Sequence, residues 1–167
     1  MSENPQHAAF GVPGLDDVLE GGLPANRLYL VEGMPGAGKT TLALQFLRAG
    51  AACGEGGLYV TLSETAEELA GVVASHRWPP LAESSGIALF ELASAESVLG
   101  PSRDMTLLHP WEVELGETIK LITDRVEQVG ARRVVFDSMA EMRLLAQDPL
   151  RFRRQVLALK QYFAGRG

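Results

Sequence analysis

Residues 33–40 have the types and the spacing of a loop that binds phosphate. They read G-x-x-x-x-G-K-T, and glycines at these positions let the backbone approach a polyphosphate with its N–H groups pointing inward. The Lys39 ammonium can reach the β- and γ-phosphates, and the Thr40 hydroxyl can hold Mg²⁺. We therefore expect the nucleotide contacts to come from Gly33, Met34, Pro35, Gly36, Ala37, Gly38, Lys39, Thr40 and Thr41.

The residues on either side of this loop support the same interpretation. Residues 27–31 form an apolar run with β-forming side chains, which predicts a strand that leads into the loop. Apolar residues at helical spacing follow, so strand, loop and helix occur in the required order. A chance match in a glycine-rich turn is the alternative. A dinucleotide fingerprint fits less well, because it would need a glycine where Thr41 stands.

A carboxylate closes a second apolar run. Asp137 follows Val134, Val135 and Phe136, which fits the second acidic motif of such enzymes. It would hold the Mg²⁺ shell directly or through water, together with Thr40. The alternative is an aspartate that ends a strand and caps the next element.

A second carboxylate follows the run 58–62. Glu64 stands where a predicted strand ends, and the carboxyl ends of strands are where ligands bind in open α/β sheets. It could orient and deprotonate the water that attacks the γ-phosphate, while Lys39 stabilises the transferring charge. Helix capping is equally compatible with Glu64, because Ser63 and Thr65 also suit a helix start.

Composition limits the class of protein. The chain has 167 residues, of which 46% are hydrophobic, so we expect one globular domain over residues 1–167 with a loose tail over residues 1–9. A net charge of −6 argues against nucleic acid as an obligatory partner. Cys53 is the single cysteine, which excludes a disulfide framework and favours a reducing cytoplasm. No signal peptide and no membrane span are predicted.

Runs of strand-forming residues alternate with stretches of helical periodicity. This alternation predicts an α/β fold, with a mostly parallel sheet between two layers of helices. The alternation stops where a further strand is expected, so the domain looks truncated at its C-terminus. A long connection without a clear period covers residues 94–111. The predicted strands are 27–31, 58–62, 87–92 and 134–137, and the predicted helices lie within 10–19, after the loop, and at 66–75, 112–129 and 152–163.

The sequence gives weaker evidence for the identity of the nucleotide base and for the role of the basic residues. The Asn-Lys-x-Asp motif of guanine-binding proteins is absent, so ATP is the expected nucleotide. Five arginines and one lysine make the C-terminal stretch basic, and most such runs are a solvated helix face. A subunit contact, a nucleic-acid contact or an arginine that acts on a neighbour's nucleotide are the alternatives. These residues are Arg143, Arg151, Arg153, Arg154, Lys160 and Arg166.

Taken together, the motifs resemble the KaiC-like ATPases of the RecA superfamily of P-loop NTPases. The resemblance covers nearly the whole chain and rests on residues 11–16, 33–41, 59–65 and 134–138. It implies a three-layer RecA-like domain that hydrolyses ATP with Mg²⁺. It also implies a homo-oligomeric ring, usually a hexamer, with the nucleotide between subunits.

The resemblance also assigns individual residues. The family's catalytic acidic pair matches Ser63 and Glu64 here, so its first member is replaced by serine. Ser75 matches a serine that lies near the nucleotide in the family. The departure at Ser63 means that hydrolysis would be slow or would depend on Glu64 alone.

Other functions remain open at this point. The chain could bind nucleotide or assemble without useful turnover, because of Ser63 and the early stop. A recombinase-like ATPase on DNA or a small-molecule kinase would use the same loop. We also expect a truncated sheet to leave exposed edges, through which this chain would self-associate.

Overall fold

The computed structural model describes residues 7–92, 110–146 and 148–164. Within these ranges, no helix combines the length and the hydrophobicity needed to cross a membrane. The strands are β1 (His7–Ala8), β2 (Leu23–Pro24), β3 (Gly57–Thr61), β4 (Ile87–Glu91) and β5 (Arg133–Asp137). The helices are α1 (Pro13–Val18), α2 (Lys39–Ala52), α3 (Ala66–Ser75), α4 (Pro110–Val129), α5 (Met139–Ala146) and α6 (Pro149–Ala164).

A parallel sheet in the order β4-β3-β5 forms the centre of the molecule. All five residues of β3 are buried, as expected for a strand that is covered on both faces. The register pairs Thr61 of β3 with Glu91 on one side and with Asp137 on the other. Because parallel strands end at the same edge, the predicted acidic residues are brought to one end of the sheet.

Helices cover both faces of this sheet, which confirms the predicted three-layer α/β/α architecture. Successive residues of β3 point to opposite faces. Tyr59 packs with residues of α2 and α3 such as Leu44 and Leu69. Leu58 and Val60 pack with residues of α4 such as Ile122, and aromatic residues of α6 extend this second core.

The helix predicted over residues 66–75 is confirmed and has a complete N-terminal cap. The Thr65 hydroxyl accepts from the Glu68 amide at 3.3 Å, and the Glu68 carboxylate accepts from the Thr65 amide at 2.8 Å. Such reciprocal capping satisfies two N–H groups that the helix leaves unpaired. α5 was not predicted, and the predicted connection over 94–111 lies largely outside the described residues.

The N-terminal turn is held by Asp16, which lies inside α1. Its carboxylate accepts from the amides of Phe10 at 2.7 Å, Gly11 at 2.8 Å and Val12 at 3.1 Å. The prediction of a loose tail over residues 1–9 is wrong for His7 and Ala8, because they pair with β2 in an antiparallel ladder.

Arg133 anchors the start of β5. Its buried guanidinium pairs with the Glu55 carboxylate at 2.6 Å and donates to the carbonyl oxygens of Ala9 at 2.5 Å and Phe46 at 2.9 Å. Gly50 leaves space for the guanidinium, because a Cβ atom at position 50 would lie 2.4 Å from the Arg133 side chain. The guanidinium therefore ties the N-terminal segment, α2 and the sheet together.

The strand predicted over residues 27–31 is absent, and this prediction is wrong. These residues belong to no sheet, and Leu30 is 69% exposed. A groove of about 320 Å³ lies between this segment and β5, lined by Leu28, Tyr29, Val134, Phe136 and Phe163 among others. A strand needs a partner for its backbone groups, and no described strand lies in this groove.

Candidate functional site

The glycine loop joins residues 27–31 to α2. Gly36 and Gly38 have φ angles of 77° and 86°, a region in which residues with a Cβ atom are strained. Gly38 is the N-cap of α2 and supplies no side-chain cap. The first N–H groups of α2 therefore face the loop without a side-chain acceptor, and the helix dipole adds positive potential for an anion at the same place.

The Lys39 side chain folds back across this loop. Its ammonium donates to the carbonyl oxygens of Gly33 at 2.9 Å and of Met34 at 3.0 Å. The charge is thereby held at the loop rather than in bulk solvent. An ammonium ion in this place can contact an anionic group that the loop amides bind.

The loop and the predicted acidic strand meet through one hydrogen bond. The Thr40 hydroxyl donates to Asp137 Oδ2 at 2.9 Å, across 97 positions of sequence. The structure thus brings together the two residues that were predicted to hold magnesium.

Tyr59 lies in the same cluster and was missed by the sequence analysis. Its hydroxyl donates to Asp137 Oδ2 at 2.5 Å, and its side chain is fully buried. Burial, and then the neighbouring Asp137, raise the pKa of the Tyr59 hydroxyl, which keeps the group protonated as a donor. The only signal in the sequence was a polar atom inside an apolar strand, since a buried tyrosine hydroxyl needs a partner.

Glu64 stands at the same edge, just beyond β3. Its backbone is fixed because the Thr61 hydroxyl donates to the Glu64 carbonyl at 2.7 Å and accepts from the Glu64 amide at 2.9 Å. Its Oε2 atom is buried and has no hydrogen-bond partner among the described residues. Burial, then Asp137 and Glu68, raise the pKa of the Glu64 carboxyl. Helix capping does not explain Glu64, because Thr65 and Glu68 cap α3.

Ser75 and Ser63 are placed differently. The Ser75 hydroxyl donates to the Val72 carbonyl at 2.7 Å and lies 3.1 Å from His76 Nδ1. Among the described residues, none of its hydrogen bonds reaches the loop. Ser63 is exposed. The predicted nucleotide contact of Ser75 therefore stays a prediction.

The residues at this edge fit a magnesium ion. Thr40 and Asp137 supply oxygen atoms, which Mg²⁺ prefers, and Mg²⁺ in nucleotide sites takes few protein ligands beside phosphates and water. In the part of the chain described here, no group of three or more His, Cys, Asp or Glu residues could hold a metal by itself. This is the donor set expected for an ion that arrives with a nucleotide.

Comparisons with known proteins agree with this geometry. A family model described as "ATPase: KaiC" matches residues 8–167. The UPF0273 protein PH0284 of Pyrococcus horikoshii is 31% identical over 159 residues, which are 94% of this chain and 63% of the relative. The UPF0273 protein of Aeropyrum pernix is 32% identical over 159 residues, with the same coverage. This chain therefore spans less than two thirds of the length of these relatives.

A solved structure shows the same fold. The chain resembles the crystal structure of the KaiC-like protein PH0186 from Pyrococcus horikoshii, with a TM-score of 0.74 and 29% sequence identity. The match covers 97% of this chain and 68% of that protein. The glycine loop, the sheet and the acidic edge thus occur in a fold that a known protein shares.

Proposed function

Because the chain belongs to the KaiC family of RecA-superfamily ATPases, we propose that it binds ATP with Mg²⁺ at the glycine loop and hydrolyses it. The observation that carries this proposal is the hydrogen bond from Thr40 to Asp137. It joins the loop that suits a polyphosphate to the carboxylate that suits its metal ion. If the glycine-rich turn matched the motif by chance, its contact with the acidic end of a strand would be unexplained.

Each residue has a role in this proposal. The backbone N–H groups of residues 33–41, except at Pro35, which has none, bind the phosphates. The Lys39 ammonium offsets the charge that develops on the transferring group. Thr40 and Asp137 would hold the magnesium ion, which neutralises phosphate charge when bound. Glu64, which has a raised pKa, accepts a proton from the attacking water.

Wider assignments belong to the same proposal. The family commonly forms rings, so we place the nucleotide between subunits of a homo-oligomer and expect Ser75 to contact it there. An exposed, free Cys53 suits a reducing compartment such as the cytoplasm. Nucleic acid has no part in the proposed reaction.

A second candidate is a nucleotide-binding module without useful turnover. The observation in its favour is Ser63, which replaces the first acidic residue of the pair. If Glu64 alone cannot activate water, the chain would bind ATP and release no phosphate. Both functions therefore predict ATP binding, and only the first predicts phosphate release.

A steady-state phosphate-release assay tests the first candidate, with ATP binding measured by calorimetry in parallel. Lys39→Ala should lower turnover on the order of a hundredfold or more, whereas the exposed Lys160→Ala should leave it unchanged. Glu64→Gln should remove turnover and keep binding, and Glu67→Gln is its matched control in α3.

The outcomes separate the candidates. Binding without release in the unchanged chain would support the second candidate, and full turnover by Lys39→Ala would contradict the first. No ATP binding by the unchanged chain would overturn both.

A further inference from the structure

Tyr59 differs from the other tyrosines of the chain in what its hydroxyl contacts. The Tyr29 hydroxyl donates to the Pro24 carbonyl, and the Tyr162 hydroxyl donates to the Thr123 carbonyl and to the Glu127 carboxylate, both outside the candidate site. The Tyr59 hydroxyl instead donates to a side chain of the candidate site, Asp137. Its ring is fully buried in the core between the sheet and α2 and α3.

Packing alone would not require this hydroxyl. A phenylalanine would fill nearly the same volume in the core, and a buried hydroxyl costs free energy unless it is hydrogen-bonded. The sequence nevertheless has a tyrosine at this point, and its hydroxyl donates to a carboxylate. Hydrogen bonds to charged acceptors are stronger than those between neutral groups.

Two hydroxyl groups converge on the same oxygen atom. Thr40 and Tyr59 both donate to Asp137 Oδ2. No described residue donates to Oδ1, so this second oxygen is left for a further ligand. The carboxylate is thus oriented by donors on one side only.

The hydrogen bond from Thr40 is not enough to fix the orientation of the Asp137 carboxylate. Thr40 lies in the first turn of α2, and in the proposed function its hydroxyl also contacts the metal ion. Tyr59 comes from the buried central strand of the sheet, and its hydroxyl donates to Asp137. Glu64 stands at the same edge as Asp137, beyond the carboxyl end of β3.

We propose that Tyr59 is a positioning residue, whose hydroxyl holds the Asp137 carboxylate so that Oδ1 faces the magnesium shell. This inference rests on the proposed function, because it assigns Asp137 to the metal. Tyr59 touches neither substrate nor metal and acts through Asp137. Groups that orient a metal ligand commonly change metal affinity by about tenfold or more when they are removed.

The test measures the coupling between magnesium binding and nucleotide binding. ADP affinity is measured by calorimetry with and without Mg²⁺, for the unchanged chain and for Tyr59→Phe. We expect the Mg²⁺-free Kd to stay within about twofold and the gain from Mg²⁺ to shrink about tenfold. In the phosphate-release assay, half-saturation by Mg²⁺ should rise by a similar factor, with little change in kcat at saturating Mg²⁺. Tyr162→Phe is the matched control and should change neither quantity.

A double-mutant cycle shows whether Tyr59 acts through Asp137. Asp137→Asn alone should weaken the Mg²⁺ effect, and adding Tyr59→Phe should then have no further effect. Equal, additive losses in the two backgrounds would overturn the proposal. An unfolded Tyr59→Phe chain would also overturn it, because the hydroxyl would then serve stability.

The inference and the proposed function fail in different ways. If the unchanged chain binds no nucleotide, the proposed function fails and the inference fails with it. If the unchanged chain shows Mg²⁺-dependent binding and Tyr59→Phe shows the same dependence, only the inference fails.

Discussion

Residues 27–31, which we call the leading segment, and β5 are both short apolar runs that end at the candidate site. β5 pairs with β3 along its whole length, and its side chains pack into the cores on both faces of the sheet. The leading segment has no strand partner among the described residues, and Leu30 and Val31 are largely exposed. Two segments with similar β-forming residues thus adopt different structures, since β5 is a strand and the leading segment belongs to no sheet.

The difference shows that an apolar β-forming run becomes a strand only where a hydrogen-bonding edge receives it. β-propensity measures how a side chain fits a pleated, half-buried surface, so it depends on the neighbours. A groove lies between the leading segment and β5. The proposed metal side of the site is therefore built on paired backbone, and the proposed phosphate side on a loop.

The largest expected effect comes from the anchor of β5. Arg133→Met should destabilise the protein by about 3 kcal/mol, because it breaks a largely buried ion pair and leaves two carbonyl oxygens without their donor. Chemical denaturation monitored by circular dichroism measures this loss. Arg132→Met is the control, since Arg132 is exposed and should change stability little. Equal losses in both variants would show that β5 does not depend on this anchor.

A matched pair of valines tests the comparison directly. Val135 of β5 packs against the core that contains Tyr59, whereas Val31 in the leading segment is 50% exposed. Val135→Ala should cost roughly 1–1.5 kcal/mol from lost apolar burial, and Val31→Ala should stay within about 0.5 kcal/mol. The same denaturation experiment gives both numbers. A Val31→Ala cost as large as that of Val135→Ala would mean that the leading segment is packed.

The sequence predicted those parts of the fold that depend on short-range patterns. Alternation of apolar runs and helical periods predicted β3, β4 and β5. A threonine followed by acidic residues predicted the start of α3. The approach of Asp137 to Thr40 followed from the two motifs, which assign both residues to one magnesium ion.

The parts that could not be predicted depend on distant partners. Whether residues 27–31 pair is decided by what lies beside them, which local propensity does not contain. The roles of Tyr59 and Arg133 need the face and the register of each strand, since their partners lie 78 positions away. The sequence could not decide whether Glu64 caps α3, because the cap is made by Thr65 and Glu68.

The exposed leading segment should also act as a surface for self-association. Its apolar side chains and the unpaired backbone near β5 favour contact between copies of the chain. Leu30→Lys should weaken this association about fivefold, or about 1 kcal/mol. Sedimentation velocity over a range of concentrations measures it. Leu150→Lys, at a leucine of 66% exposure on α6, controls for added charge, and an equal effect of both would contradict this location.

The smallest effect concerns the acidic edge that β3 and β5 share. The pKa of Glu64 is raised in the folded protein, chiefly by burial and then by Asp137, so the folded state binds this proton more tightly than the unfolded state does. The resulting stabilisation is complete below the unfolded pKa of about 4.3 and is lost as the pH rises through the folded pKa. Gln does not ionise, so Glu64→Gln should match the unchanged chain near pH 4 and melt at a higher temperature at pH 7.

Melting curves of the magnesium-free protein between pH 4 and pH 8 measure this difference, and Glu67→Gln should show none. A Glu64→Gln variant that is less stable at pH 7 would mean that the carboxylate has a stabilising partner. The expected result pairs a gain in stability with a loss of hydrolysis, because a group kept for chemistry is often held at a cost to the fold.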